Sequence, residues 1–265
     1  MIGPRRIVCL TEETTETLYL LGEQDRIVGI SGFTVRPPQA RREKPKVSAF
    51  TSAKIDRIVE LAPDLVLGFS DLQADIAADL IRAGIEVHIF NQRSVAQILA
   101  FIRMLGGMIG AGDKAGRLAD NLERNVEAIR SAGERLPSRP KVYFEEWDDP
   151  MISAIRWVSE LIGIAGGQDC FPELSTQAGG RQRIVVDPME VVRRAPQLII
   201  GSWCGKKFRP EKVAARPGWA DIPAVRTGNL HEIKSAEILQ PGPAALTDGL
   251  RALHHLIGDT ATALR

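Results

Sequence analysis

Short apolar runs alternate with longer stretches of helical period along this chain. Ile7–Leu10, Ile27–Ile30, Leu65–Leu67, Val87–Phe90, Val142–Phe144 and Leu198–Ile200 are too brief for helices and carry apolar side chains on both faces. That is the pattern of parallel strands covered from both sides. Between them lie amphipathic segments, the longest at residues 112–136, where Leu118, Leu122, Val126 and Ile129 recur at helical spacing and charges fill the other positions. Pro137 and Pro140 end that segment. Strand and helix in alternation predict an α/β fold with crossover helices and mainly parallel sheets.

The pattern occurs twice. KIDRIVELAPDLVLG (54–68) and DPMEVVRRAPQLIIG (187–201) share one layout: a short amphipathic helix, an Ala-Pro pair, an apolar strand, then glycine. Pro63 and Pro196 stop their helices, because proline lacks the N–H and restricts the residue before it. Arg6–Leu10 and Lys141–Phe144 likewise open strand, polar loop, helix, glycine. The repeat predicts two similar α/β lobes: an N-terminal lobe over 1–111, a long interlobe helix over 112–136 and a C-terminal lobe over 137–265.

Ligands of such sheets sit beyond the carboxyl ends of the strands. Phe33, Phe69, Asn91-Gln92, Trp147 and Trp203-Cys204 stand just after the apolar runs. Only 5% of the chain is aromatic, so this placement is a concentration, and it predicts flat apolar walls with a polar rim. The most unusual strand end is EEWDD (145–149), which sets four carboxylates around an indole. If the strand persists, Glu145 and Glu146 face opposite ways, and Glu146 becomes either a rim acceptor for ligand amides or a solvated residue. Asp148 and Asp149 suit the positive end of the following helix. Cys204 is either a small buried hydrophobe or a thiol ligand to a bound metal. Lys206, Lys207 and Arg209 form a basic patch that is either solvated surface or a partner for ligand acids.

The formal charge is +1, from 34 basic and 33 acidic residues, so nothing marks a nucleic-acid partner. No apolar run reaches the ~20 residues that cross a bilayer. Cys9, Cys170 and Cys204 lack CxxC spacing, and His88, His231, His254 and His255 lack HExxH spacing, so no zinc site is indicated. The glycines of MLGGMIGAGDKAG come after no strand, which removes the dinucleotide fingerprint. An enzyme would need an acid/base pair, and only Glu145 and Glu146 offer one.

The ordered elements TEETTETLYLLGEQDRIVGIS, PPQARREKPKVSAF, KIDRIVELAPDLVLG, the linking helix and AGGQDCFPEL resemble the bilobal substrate-binding proteins of bacterial ABC importers for vitamin B12, ferric siderophores and haem. The vitamin B12-binding branch is the nearest. The resemblance covers about residues 5 to 257. It implies the class III periplasmic-binding-protein fold, with two Rossmann-like lobes, an interlobe helix that permits only small closure and a large planar or cage-like metal complex held between the lobes. It implies no cofactor of the protein's own, no catalysis and a corrinoid (cobalamin-like) ligand. Ferric siderophore, haem, or a corrinoid- or nucleotide-like substrate of a cytosolic enzyme are the alternatives. On matching positions it makes Phe33, Phe50, Phe69, Trp203 and Arg183 ligand-facing, beside Glu146, Trp147 and Cys204 read from the residues themselves.

The resemblance also implies a permease partner, a periplasmic location and a monomer. Docking to the permease uses one exposed Glu in each lobe; the aligned positions here are Ala74 and Met189, with Asp71, Asp75 and Glu190 nearby. Met1 is succeeded so soon by Arg5, Arg6 and the first strand that no signal peptide is expected. A cytoplasmic location therefore stays open if Met1 is the native start.

Overall fold

The structure, a computed structural model, describes residues 3–264. The chain divides into two compact units, one running to Gln92 and including Ala96–Leu122, the other comprising Arg93–Val95 and the chain from Glu123. In the first, β1 (Ile7–Cys9), α1 (Glu12–Leu20), β2 (Ile27–Ser31), α2 (Pro38–Glu43), β3 (Lys46–Ser48), α3 (Ile55–Glu60), β4 (Leu65–Phe69), α4 (Ala74–Arg82) and β5 (Val87–Phe90) alternate strictly. The helices α5 (Val95–Met108) and α6 (Gly112–Gly133) come next, and the division between units falls within α6, after Leu122.

The strand order of the first sheet is β3-β2-β1-β4-β5, and every pairing is parallel. Connections move outward from β1 to β3, then cross back to β4 on the other side. The switch point therefore lies between the carboxyl ends of β1 and β4, where a doubly wound sheet opens a crevice. Val8, Leu10, Val47, Ile58, Val66 and Leu80 form the core under it.

The second unit contains β6 (Lys141–Asp148), β7 (Met151–Ser153), α7 (Arg156–Ile164), β8 (Gln168–Asp169), α8 (Pro172–Ser175), α9 (Met189–Arg194), β9 (Leu198–Gly201), α10 (Pro210–Ala214), α11 (Pro223–Arg226), β10 (Leu230–Glu232), α12 (Ser235–Ile238) and α13 (Leu250–Ala263). Its sheet runs β10-β9-β6-β7, with β8 beside the start of β6. Only the β6–β7 pair is antiparallel among the described strands.

The internal repeat extends to atomic detail. Ala62 and Ala195, the alanines of the two Ala-Pro pairs, both adopt left-handed backbone, with φ 42° and 49°. Each ends its helix in a conformation that alanine adopts at a cost, because Cβ crowds the following carbonyl. Two residues on, Asp64 N–H donates to Arg6 O and Gln197 N–H donates to Lys141 O, both at 2.9 Å. The side chains repeat the link: Asp64 accepts from Arg6 N–H at 2.9 Å, and Gln197 Oε1 accepts from Lys141 N–H at 2.6 Å. One helix-to-strand device thus starts both central strands.

Two expected boundaries shift. The long helix stops at Gly133, short of 136, because Arg135 and Leu136 bond back to Ala132 and Gly133 in tighter turns. The strand at 142–144 does not end before EEWDD. It continues to Asp148 because β7 pairs with its second half, Glu145 opposite Ser153 and Asp148 opposite Met151. Glu145, Glu146, Trp147 and Asp148 are consequently strand residues, and the turn falls at Asp149-Pro150.

Candidate functional site

In the first unit, TEETTET is buried almost throughout, although it is polar. Thr11 through Thr17 are at most 7% exposed, with Glu12 at 5% and Glu13 at 1%. These residues span the β1–α1 junction at the switch point, and their hydrogen bonds are local or reach the neighbouring loop. Glu12 Oε1 accepts from Val35 N–H at 3.0 Å and Arg36 N–H at 2.6 Å. Arg41 Nη1 donates to Gly32 O at 2.8 Å. Together they fix the loop carrying Phe33, which is 61% exposed. Phe33 is thus a large aromatic held outward on a clamped loop.

Gln73 performs the same service for the other two phenylalanines. Fully buried, it accepts from Phe69 N–H at 2.9 Å and donates from Nε2 to Phe50 O at 2.8 Å. Gly68 makes room for this amide, since a Cβ there would stand 2.6 Å from Gln73 Oε1. Phe69, expected to face a ligand, is buried at 6% exposure, whereas Phe50 is half-buried. Immediately after Phe69, Ser70 sits at φ 67°, ψ 168°, a region otherwise left to glycine. Backbone strain of that kind collects at functional sites.

In the second unit the expected wall and rim are rearranged. Trp203, expected as an open wall, is 4% exposed and packs edge-to-face on Phe208 with centroids 5.0 Å apart. Phe208 fills the space left by Gly201, where a Cβ would lie 1.8 Å from its Cδ2. Glu145 is wholly buried and accepts from Trp203 Nε1 at 3.1 Å, Tyr143 Oη at 2.9 Å, and Arg216 Nη1 and Nη2 at 2.6 and 2.9 Å. Arg216 in turn lies 4.6 Å from the centroid of Trp219. Trp203 is therefore core, and its orientation is set by the Glu145–Arg216 pair.

Arg183 and Glu146, expected as rim groups, bond each other. Arg183 is 1% exposed, and its two terminal nitrogens reach Glu146 Oε2 and Oε1 at 2.6 and 3.2 Å. Its Nη1 also donates to Ser153 O, while Ser153 Oγ donates to Arg183 O at 3.1 Å. The pair braces the β6–β7 hairpin against the 180–183 turn instead of presenting open hydrogen-bonding groups. The hairpin leaves Trp147 half-buried, its Nε1 donating to Asp149 O at 2.9 Å. Lys206 Nζ sits 4.0 Å from the Trp147 centroid and pairs with Asp148, whose carboxyl it holds below the usual range against the opposing effect of burial. Cys204 is exposed.

The acids near the aligned docking positions divide. Asp71 and Asp75 are exposed around the start of α4. Glu190 is engaged, at 2.7 Å from Arg193 and 2.8 Å from Arg194. Met189 is 40% exposed.

Four side chains that hold these segments in place escaped the sequence reading. For Glu12 and Glu13 a signal exists, acidic residues directly after a buried strand at a helix start. For Gln73 and Arg216 there is none, because Gln73 ties in Phe50, 23 residues away, and Arg216 ties in Glu145, 71 residues away. Burial leads the causes that push the Glu12 and Glu13 carboxyls up to about 7 from 4.5, and Glu13 Oε2 is buried without a hydrogen-bond partner. A folded-state value above the unfolded one means that the folded protein holds the extra protons. This contribution to stability is complete below pH 4.5 and is lost as pH rises through about 7. Glu13→Gln should therefore stabilise the protein by ~1–3 kcal/mol at pH 8 and change little at pH 5. Urea midpoints of variant and wild type at the two pH values check this, and the lowered His88 and His231 cancel in the difference.

Known proteins place this architecture. The model of the periplasmic binding protein family matches residues 7–237. The ABC transporter substrate-binding lipoprotein YvrC of Bacillus subtilis is 24% identical over 259 residues, covering 94% of this chain and 79% of that protein. The vitamin B12-binding protein of Vibrio parahaemolyticus is 22% identical over 258 residues, covering 94% of this chain and 88% of that protein. Among solved structures, the periplasmic heme-binding protein RhuT from Roseiflexus sp. RS-1 superposes with a TM-score of 0.81 at 24% identity, covering 98% of this chain and all of that one. These are binding proteins, so the enzyme alternative raised by Glu145 and Glu146 is set aside. Both acids are in any case committed to arginines. With the family match spanning most of its length, this chain belongs to the periplasmic binding protein family.

Proposed function

We propose that this chain captures a metal-centred macrocycle, a corrinoid before others, and delivers it to an ABC-type importer outside the cytoplasmic membrane. The observation that carries this reading is Phe33, 61% exposed on a loop clamped by Glu12 and Arg41. Covering the exposed part of this ring with a flat apolar ligand recovers about 1–2 kcal/mol, and a clamped loop loses little further entropy on binding. Phe50, half-buried, extends this strand-end face, Phe69, only 6% exposed, backs it from within the unit, and Trp147 is its counterpart in the second unit. Trp203, Arg183 and Glu146 support that second face from behind. Cys204 is a proposed axial contact, since it is exposed beside the same segment. Delivery would use Asp71, Asp75 and the Met189–Glu190 surface.

The corrinoid reading is supported by a relative named for vitamin B12 that matches along most of its length. Haem or a ferric siderophore is the second reading, favoured by Lys206, Lys207 and Arg209, all exposed and able to meet ligand acids. A tryptophan-fluorescence titration with cyanocobalamin, haemin and a ferric siderophore decides among them. One ligand should saturate at micromolar concentration or below. Binding of none would overturn the reading.

A further inference from the structure

We propose that Lys206 is the specificity-determining residue of the second unit's strand-end face, and that it reads an acidic group on the edge of the ligand. This rests on the macrocycle reading above. The ammonium lies 4.0 Å from the centroid of Trp147 and 5.2 Å from that of Trp203, so it covers the indole face on which a flat ligand would stack. Asp148, its ion partner, comes from the same strand as Trp147.

Neither attachment is strong. The side chains of Lys206 and Asp148 are 40% and 19% exposed, and ion pairs and cation–π contacts at partly exposed sites are individually weak. The lysine stem is flexible and its charge compact. A ligand stacking on Trp147 therefore displaces Lys206, which loses its aromatic partner. A carboxylate or phosphodiester at the ligand's edge offers the ammonium a new partner, with Lys207 and Arg209 exposed nearby to add positive potential. A ligand lacking an acid offers nothing in exchange. Trp147 thus tests for flatness, and Lys206 tests for an acidic edge. Asp148 competes with the ligand acid for the same ammonium.

The test uses two matched pairs. Cyanocobalamin carries a phosphodiester that dicyanocobinamide lacks, and haemin carries carboxylates that its dimethyl ester masks. Dissociation constants for all four are measured on wild type, Lys206→Met and Asp148→Asn. Wild type should prefer the acidic member of a pair by about 2–5-fold. Lys206→Met should abolish the preference, and Asp148→Asn should enlarge it. Which pair responds tells phosphodiester from carboxylate. Equal discrimination by wild type and Lys206→Met, or none by wild type, would overturn the role of Lys206 while leaving the macrocycle reading intact. Failure of wild type to bind any of the four would overturn both.

Discussion

Replacing Glu145 with alanine is expected to destabilise the second unit by about 3–5 kcal/mol, the range for removing one partner of a buried ion pair. The carboxylate is 0% exposed and accepts four hydrogen bonds, two from Arg216 and one each from Tyr143 and Trp203. Truncation leaves a guanidinium only 18% exposed beside two donors that have lost their acceptor. Each buried donor so stranded costs about 1–3 kcal/mol. Urea unfolding of Glu145→Ala, Arg216→Met and the double variant Glu145→Leu/Arg216→Met measures the effect. The double variant should be more stable than Glu145→Ala, because no unpaired charge remains in it. A loss under ~1 kcal/mol in Glu145→Ala would show that the network does not hold the core.

Gln73→Ala should weaken ligand binding about tenfold or more and cost about 2–3 kcal/mol of stability. One amide joins the backbone at Phe69 to the backbone at Phe50, and its loss frees the two segments to move separately. The affinity falls because the aromatic face must then be ordered at the moment of binding. Gly68→Ala should reproduce the defect, since its Cβ would meet Gln73 Oε1 at 2.6 Å. Titration with the preferred ligand, and hydrogen exchange at the Phe69 and Gln73 amides, report the two parts. Unchanged affinity alongside faster exchange would mean that the loops are preorganised by something other than Gln73.

The fold was legible because its signals are local and periodic. Parallel strands declare themselves as apolar runs, and the Ala-Pro pairs at 62–63 and 195–196 mark helix-to-strand turns that share a left-handed alanine and the same pair of links to the neighbouring strand. The long helix was visible from its apolar stripe. The site was legible in position only. That aromatics stand at strand ends comes from where apolar runs stop, but which way each ring faces depends on partners far along the chain. Trp203 turned inward because Glu145 accepts its N–H and Phe208 fills the space above Gly201. EEWDD read as a strand end because β7 could not be foreseen as the partner that carries β6 onward. Arg183 and Glu146 were each recognised as polar groups near the site, yet their mutual pairing across 37 residues left no pattern to detect.

The most direct measurement is a calorimetric titration of wild type and Phe33→Ala with the macrocycle that binds best. Phe33 is exposed, so its removal should leave the fold intact and test recognition alone. We expect one-to-one binding by wild type and about a tenfold or greater loss in the variant, the consequence of leaving one aromatic contact unmade. Equal affinity of the two proteins would contradict the strand-end aromatic face as the site of capture.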